Sequence, residues 1–262
     1  GVTAQHLNQR LVVASLPVEL RELAQSLNDM LERLEDAFVH LSGFSSDIAH
    51  ELRTPVSNLM TETQVALSQA RSADAYRNIL ESNAEEFERM ARMISDMLLL
   101  AKAENDLVVP DRQRFSLSTE ILALFDYYDA VADEKDVHLE LDGNGDVYAD
   151  QLMLRRAFGN LLSNAIRHAR DGTTIRVDIV DLAGSIQIRI SNVGDPIPVE
   201  YLERIFDRFF RVDPSRHRSN EGTGLGLAIT RSIVIAHGGT IGAQSSADLT
   251  VFTILLPKIT RM

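Results

Sequence analysis

Apolar residues recur every seven positions from Leu20 through Leu27, Leu34 and Leu41 to Ile48, and Leu31, Phe38, Leu52 and Leu59 fall between them. Two apolar positions per heptad predict a helix that packs along a seam with other helices. With Phe38 and Leu52 at a and Leu41 and Ile48 at d, His50 falls at f, the position farthest from the seam. Thr54 lies four residues on and shares that outward face. The polar break Ser68-Gln69-Ala70-Arg71-Ser72 ends the pattern, with Ser72 the predicted N-cap of a second helix. That helix repeats by sevens at Leu80, Phe87, Ile94 and Ala101, with Ala84, Ala91 and Leu98 alongside. Two such helices make an antiparallel hairpin. One hairpin cannot bury both seams, so two copies are expected to form a homodimeric four-helix bundle.

After Asn105 the period changes, and Pro110-Asp111 marks a linker. Short β-like runs then alternate with helices. Arg114 to Leu117 and Val137 to Leu141 read as strands around a helix, and Asp142-Gly143-Asn144-Gly145-Asp146 reads as a hairpin turn. Thr174 to Val180 and Ser185 to Asn192 alternate in period two around Asp181-Leu182-Ala183-Gly184, and Ile241 to Gln244 and Thr250 to Leu256 complete a mixed sheet. Layered α/β is the expected result. A helix from Gln151 to His168 sets Leu154, Phe158, Leu161, Leu162, Ala165 and Ile166 on one side, while Asn160, Asn164 and His168 recur at i, i+4 and i+8 as a polar stripe.

Composition narrows the classes. A chain 45% hydrophobic and 24% charged has the balance of a soluble globular protein, and 262 residues suffice for two ordinary domains. A net charge of −12 provides no basic face for a phosphate backbone, so no nucleic-acid partner is expected. The absence of cysteine excludes disulfides and thiolate metal sites. Met90, Met93 and Met97 have the spacing of core packing rather than of a copper site, and the seven histidines show no i, i+4 pairing, so no metal site is assigned to protein side chains alone. No apolar run approaches the ~20 residues that span a bilayer. The abrupt start in a helical pattern is expected of a piece of a longer protein, one that meets a membrane only through N-terminal segments outside this sequence.

The chemistry concentrates in Phe44-Ser45-Ser46-Asp47-Ile48-Ala49-His50-Glu51-Leu52-Arg53-Thr54-Pro55. An unprotonated imidazole nitrogen can attack phosphorus, and the neighbouring carboxylate of Glu51 can share the positive charge that develops. Pro55 has no amide hydrogen, so the Glu51 carbonyl loses its helical partner and the backbone beside His50 is loosened. Downstream, Gly222, Gly224 and Gly226 alternate ahead of a helix that starts near Leu225. Glycines so placed let backbone amides approach phosphate oxygens, and the helix adds its N-terminal dipole.

The histidine run resembles the phospho-acceptor box of sensor histidine kinases, and four further segments resemble that family's boxes in the family's order. Asn160-Leu161-Leu162-Ser163-Asn164-Ala165-Ile166-Arg167-His168 resembles the N box, and Ser191-Asn192-Val193-Gly194-Asp195-Pro196-Ile197 the first glycine box. Ile205-Phe206-Asp207-Arg208-Phe209-Phe210-Arg211 resembles the F box, and Glu221-Gly222-Thr223-Gly224-Leu225-Gly226-Leu227-Ala228-Ile229 the second glycine box. The resemblance implies that Asn164 holds Mg²⁺ through its side-chain oxygen, with Asn160 near the transferring phosphate and Arg167 neutralising phosphate charge. His168 stands where the family commonly has tyrosine, Asn192 where it has an adenine-binding aspartate, and Pro196 where it has a glycine. An asparagine carries one acceptor and one donor and so can still match the adenine edge. Arg211 to Asn220 has the makeup of a lid whose Arg211, Arg216 or Arg218 can reach the γ-phosphate.

The implied fold is α+β, a dimeric helical hairpin followed by an α/β-sandwich ATP-binding domain of the Hsp90/gyrase-like type. The expected organisation is a partial HAMP or coiled-coil signalling helix over 1–37, carried by Leu16-Pro17-Val18-Glu19-Leu20, a dimerisation and histidine phosphotransfer domain over 38–106, and a catalytic ATP-binding domain over 111–262. The nearest resemblance is to the heavy-metal branch, the transmembrane copper and silver sensors. It implies ATP- and Mg²⁺-dependent autophosphorylation on His50 with Glu51 assisting, transfer to an aspartate of a response-regulator receiver domain, and a phosphatase activity through Thr54. A dimeric scaffold that binds nucleotide without turnover, and an Hsp90/gyrase-type ATPase, are the alternatives.

Overall fold

The computed structural model describes residue 11 and residues 17–104, 109–212 and 224–258. The chain forms two compact units, Gly1–Met90 and Ala91–Met262.

In the first unit a single helix, α1 (Val18–Leu67), starts after Pro17 and runs through Pro55 in its interior. At 1.5 Å per residue its 50 residues extend about 75 Å. Pro55, Leu59 and Ala66 are buried. After the polar turn, α2 (Ala73–Glu104) begins where expected, with the Ala75 amide donating to Ser72 Oγ at 3.2 Å. Arg71 Nη2 donates to the Val65 carbonyl at 3.3 Å and Tyr76 Oη to that of Gln69 at 3.4 Å, closing the hairpin. Across it, Ser82 Oγ donates to Glu62 at 3.4 Å.

The seam divides in two. On α2, Met93, Met97 and Leu100 are buried, as core packing requires of the methionines, whereas the heptad positions Leu80, Phe87, Ile94 and Leu98 stay exposed. On α1, Ala24 and Leu31 are buried while Leu20, Leu27 and Leu34 are exposed. A single hairpin thus leaves one apolar stripe uncovered. The side chains of Phe38 and Leu41, and all of Leu16, lie outside the described residues.

In the second unit, β1 (Gln113–Ser116) leads into α3 (Leu117–Asp133), β2 (His138–Gly143), β3 (Asp146–Ala149) and α4 (Gln151–His168). Then come β4 (Thr174–Leu182), β5 (Ser185–Val193), α5 (Gly226–Ala236), β6 (Thr240–Ser246) and β7 (Leu249–Pro257). The main sheet has the order β2-β4-β5-β7-β6, with β2 parallel to β4 and the other pairs antiparallel. Alternation along the strands buries Ile175, Val177, Ile186, Ile188, Phe252 and Ile254, and the helices bury Leu154, Phe158, Leu161, Ile121, Ile229 and Ile233. Positions of opposite phase carry cross-strand ion pairs, Arg176 with Glu140 at 2.9 Å and Arg189 with Asp178 at 3.3 Å.

The Asp142–Asp146 turn differs from its reading as a hairpin. β2 pairs with β4, whereas β3 pairs with β1 in a separate two-stranded sheet, Phe115 opposite Val147. Turn residues dictate that the chain reverses, not which strand receives it. Gly143 has φ +83° and comes so close to β4 that a Cβ would lie 2.0 Å from the Ile179 carbonyl oxygen, so the turn is moulded on β4.

Three contacts fix α4. At its start, Asp150 accepts from the Met153 amide at 3.0 Å and from the Asp111 amide at 3.0 Å. On its flank, Arg155 grips the buried Glu120 of α3 through two bonds of 2.8 and 3.1 Å, which hold the Glu120 carboxyl below its ordinary pKa despite burial. At its end, the Lys135 ammonium donates to the carbonyls of Ile166, Arg167 and Ala169 at 3.1, 2.7 and 3.2 Å.

A buried histidine joins α4 to α5. The Asp150 amide donates to His237 Nε2 at 3.0 Å, and His237 Nδ1 lies 2.8 Å from the Ile233 carbonyl, an arrangement that requires the neutral ring with its proton on Nδ1. Burial lowers the His237 pKa from its ordinary 6.5; Arg112 adds to this, and the Ile233 carbonyl and Asp150 oppose it. The stability this implies is present above the unfolded-state value and is lost as pH falls from there through the folded-state value. The wild-type melting temperature should therefore drop more steeply between pH 8 and pH 5 than that of His237→Gln. Parallel pH profiles would show that His237 does not carry this dependence.

Candidate functional site

On α1, His50 and Thr54 are exposed and one turn apart, with Glu51 half-buried between them. The next residue, Pro55, is buried, so its ring is packed away from the face that carries the imidazole and hydroxyl.

The second unit holds a pocket of about 480 Å³. Asn160, Ser163, Asn164, Arg167 and His168 of α4 form one wall, and Asn192, Asp195, Pro196 and Ile197 follow from the end of β5. Ile205, Phe210 and Arg211 close a third side, Gly224, Gly226 and Leu227 a fourth, with Thr250 and Phe252 of β7 below. A larger open groove of about 1050 Å³ lies around Arg112, Tyr148 and Lys258 and contains none of the polar-stripe residues. Two of its cations are already paired, Arg114 with Asp146 and Lys258 with Asp181.

The pocket is polar at one end and apolar at the other. At the polar end, Asn160 Nδ2 donates to the Gly226 carbonyl at 3.0 Å, which fixes the amide and leaves Oδ1 as its free atom. That oxygen suits a hydrated cation better than a phosphate oxygen. Burial, then the like charge of Arg211, lowers the Arg167 pKa, although the residue as a whole is exposed. Arg167 and Arg211 both line the pocket, and two like positive charges there create a field suited to an anion. Asp96, near the end of α2, also reaches this pocket and is ion-paired with Arg156 of α4. Its burial raises its pKa, outweighing the hydrogen bond and charge of Arg156 and the charge of Arg92.

Glycines permit the close approaches. Gly224 has φ +72°, and a Cβ there would stand 2.8 Å from the Phe209 backbone, whose amide donates to the Gly224 carbonyl at 3.0 Å. At Gly194 a Cβ would be 2.1 Å from the His168 carbonyl oxygen, so the end of β5 meets the end of α4 only through a glycine. Gly194 itself does not line the pocket, and Leu225 is buried at the start of α5. Gly222, Thr223, Arg216 and Arg218 lie outside the described residues.

Sequence reasoning missed Asp96, Thr250 and Ser245. Thr250 is buried and directly opposite Asn192 in the β5–β7 register. Its hydroxyl lies 2.8 Å from Ser245 Oγ, which accepts the Ile197 amide at 2.9 Å. A signal existed, because Thr250 occupies the same strand phase as Phe252, Ile254 and Leu256 and is the polar exception among apolar residues. Asp96 gave none, since a carboxylate on an amphipathic helix reads as surface.

Comparison with known proteins gives three family matches in order along the chain. Residues 2–36 match the HAMP domain, 40–106 the His Kinase A (phospho-acceptor) domain, and 149–260 the Histidine kinase-, DNA gyrase B-, and HSP90-like ATPase. The chain is 48% identical over 258 residues to the sensor histidine kinase CusS of Escherichia coli K12, which covers 98% of this chain and 54% of CusS. It is 44% identical over 267 residues to the probable sensor kinase SilS of Salmonella typhimurium, covering 100% of this chain and 54% of SilS. The chain therefore spans about half the length of these relatives. Histidine kinase ThkA, solved in complex with the response regulator protein TrrA, shares the fold with a TM-score of 0.69 at 22% identity, over 96% of this chain and 73% of ThkA. An exposed histidine on a long helix, an ATPase-type pocket on the sheet unit, and an alignment that runs end to end through half of each sensor kinase have one common explanation: this chain belongs to the sensor histidine kinases.

Proposed function

We propose that this chain is the signalling portion of a two-component sensor, phosphorylating itself on His50 from ATP and passing the phosphoryl group to an aspartate on the receiver domain of a response regulator. The observation that carries this reading is the presence in one chain of an exposed His50 beside a half-buried Glu51 and a separate pocket with an asparagine stripe, two arginines and close-approach glycines. A nitrogen of His50 forms a bond to the γ-phosphorus as the bond to the bridging oxygen breaks, ADP leaves, and Glu51 shares the positive charge on the ring. The phosphoryl group then moves to the aspartate oxygen and returns His50 to its free state. Arg167 and Arg211 neutralise the phosphates, and Asn192 and Thr250 contact the base.

Mg²⁺ fits here only in company. Among the described residues no group of three or more His, Cys, Asp or Glu side chains can hold a metal ion, so the protein offers amide oxygens of Asn164 and Asn160 and the phosphates supply the rest. Bound there, Mg²⁺ would neutralise phosphate charge.

The uncovered stripe at Leu80, Phe87, Ile94 and Leu98 supports a homodimer whose second copy completes a four-helix bundle. No helix among the described residues is long and apolar enough to cross a membrane. The HAMP match and the named sensors support a place as the cytoplasmic portion of an inner-membrane sensor, and the resemblance to the copper and silver branch supports metal response as the signal.

Incubation with γ-labelled ATP tests the proposal. Acid-labile, base-stable label on the protein means kinase; free phosphate alone means an Hsp90/gyrase-type ATPase, and neither means a binding scaffold.

The exposed Thr54 hydroxyl, one turn beyond His50, can orient a water against an aspartyl phosphate docked beside the bundle. Thr54→Ala should keep autophosphorylation within severalfold while slowing loss of phosphate from the phospho-regulator by about tenfold or more. Equal loss of both activities, or of neither, would refute the role.

A further inference from the structure

The apolar end of the pocket bears on which base it takes, an inference that rests on the nucleotide reading above. Its floor carries two polar side chains, Asn192 at 3% exposure and Thr250 at 4%, among Ile197, Ile205 and Phe252. Thr250 is engaged with Ser245 Oγ at 2.8 Å, and Ser245 in turn with the Ile197 amide. The Asn192 amide, in contrast, has no hydrogen-bond partner among the described residues. The amide lines the pocket, so its donor and its acceptor are open to a ligand that supplies their partners.

What that ligand presents follows from the amide itself. One side of the group accepts and the other donates, and a half-turn about the last side-chain bond exchanges them. The adenine edge presents an amino donor beside a ring-nitrogen acceptor. The edge of hypoxanthine and guanine presents the reverse, a 6-oxo acceptor beside a ring N–H donor. An amide meets either edge with two hydrogen bonds, whereas a carboxylate, which only accepts, meets each edge with one hydrogen bond and one facing acceptor. No described protein group pins the Asn192 amide in one orientation, so the choice carries no penalty on the protein side.

We propose that Asn192 makes this pocket a site for both classes of purine nucleotide, admitting 6-oxopurine triphosphates as well as ATP. Base selectivity here is thus set by a rotatable amide, and the phosphate end is common to all of them.

Calorimetric titration of the full chain with the Mg²⁺ complexes of ATP, ITP and GTP tests this. In the wild type, ITP and GTP should bind within about tenfold of ATP, because each forms the same number of bonds to the amide. In Asn192→Asp both ATP and ITP should weaken by about tenfold or more with their ratio little changed, because each edge then keeps one hydrogen bond and sets one acceptor against the carboxylate. Asn192→Ala, which keeps the small apolar surface and buries no new charge, should weaken ATP and ITP together and leave their ratio near the wild-type value. Melting curves with and without ATP establish that each variant is folded. Rejection of both 6-oxopurines by a hundredfold in the wild type overturns the proposal, as does unchanged affinity for ATP and ITP in folded Asn192→Ala. ATP binding with 6-oxopurine rejection sinks this inference alone, and absence of all binding sinks the nucleotide reading and this inference with it.

Discussion

His50→Gln is expected to abolish transfer of label from γ-labelled ATP to the protein while ATP affinity stays within about twofold of the wild type. Glutamine has no basic ring nitrogen, and its amide lone pair is delocalised and cannot attack phosphorus at a useful rate. The swap is mild for structure, because position 50 is exposed in the middle of α1 and glutamine is a good helix former. On the proposed reading, nucleotide affinity is set by the pocket of the other unit, whose lining runs from Asp96 to Phe252. Loss of label with retained binding therefore separates the nucleophile from the nucleotide site. Retained labelling on protein in this variant would remove His50 from the reaction.

Asn164→Ala should slow labelling on the order of 10²-fold and weaken its dependence on magnesium concentration, with the fold intact. Asn164 is half-buried on the pocket face of α4, between Asn160 and His168, while the opposite face holds Leu154, Phe158, Leu161 and Leu162 in the core. Alanine keeps the helix and removes only an amide. Asn160 does not replace it, because its Nδ2 is tied to the Gly226 carbonyl and a single oxygen remains. Normal labelling across a magnesium titration would reduce Asn164 to a helix-surface residue.

Local periodicity carried the helices and strands into view because their causes are local. α4 runs over Gln151–His168, the span its spacing predicts, since Asp150 caps one end and Ala169 turns extended at the other. Ser72 caps α2, and β4 and β5 flank the turn at Ala183 and Gly184. The pairing of β3 with β1 was not legible, because it closes a contact across α3 and β2 that no turn motif encodes. Nor does a heptad count say which of two stripes on α2 is covered, since Met93 and Leu98 both satisfy an amphipathic helix. In the pocket, Asn160, Asn164, Arg167, His168, Asn192, Arg211, Gly224 and Gly226 were named from the chain and are brought together around one cavity. Asp96 and Thr250 come from elements distant in sequence, and only packing delivers them there.

Lys135 sits outside the cavity and touches nothing that would bind in it, yet it shapes the potential felt there. The C-terminal end of α4 carries the negative pole of the helix, and its last turn reaches the pocket at His168. A polyanionic ligand would meet that pole head-on. With its ammonium on three of the terminal carbonyls, Lys135 is a built-in counter-ion that cancels the pole before any ligand arrives. An arginine would keep the formal charge, but a flat guanidinium cannot converge on three oxygens from one apex, so the substitution would exchange a focused counter-charge for a diffuse one.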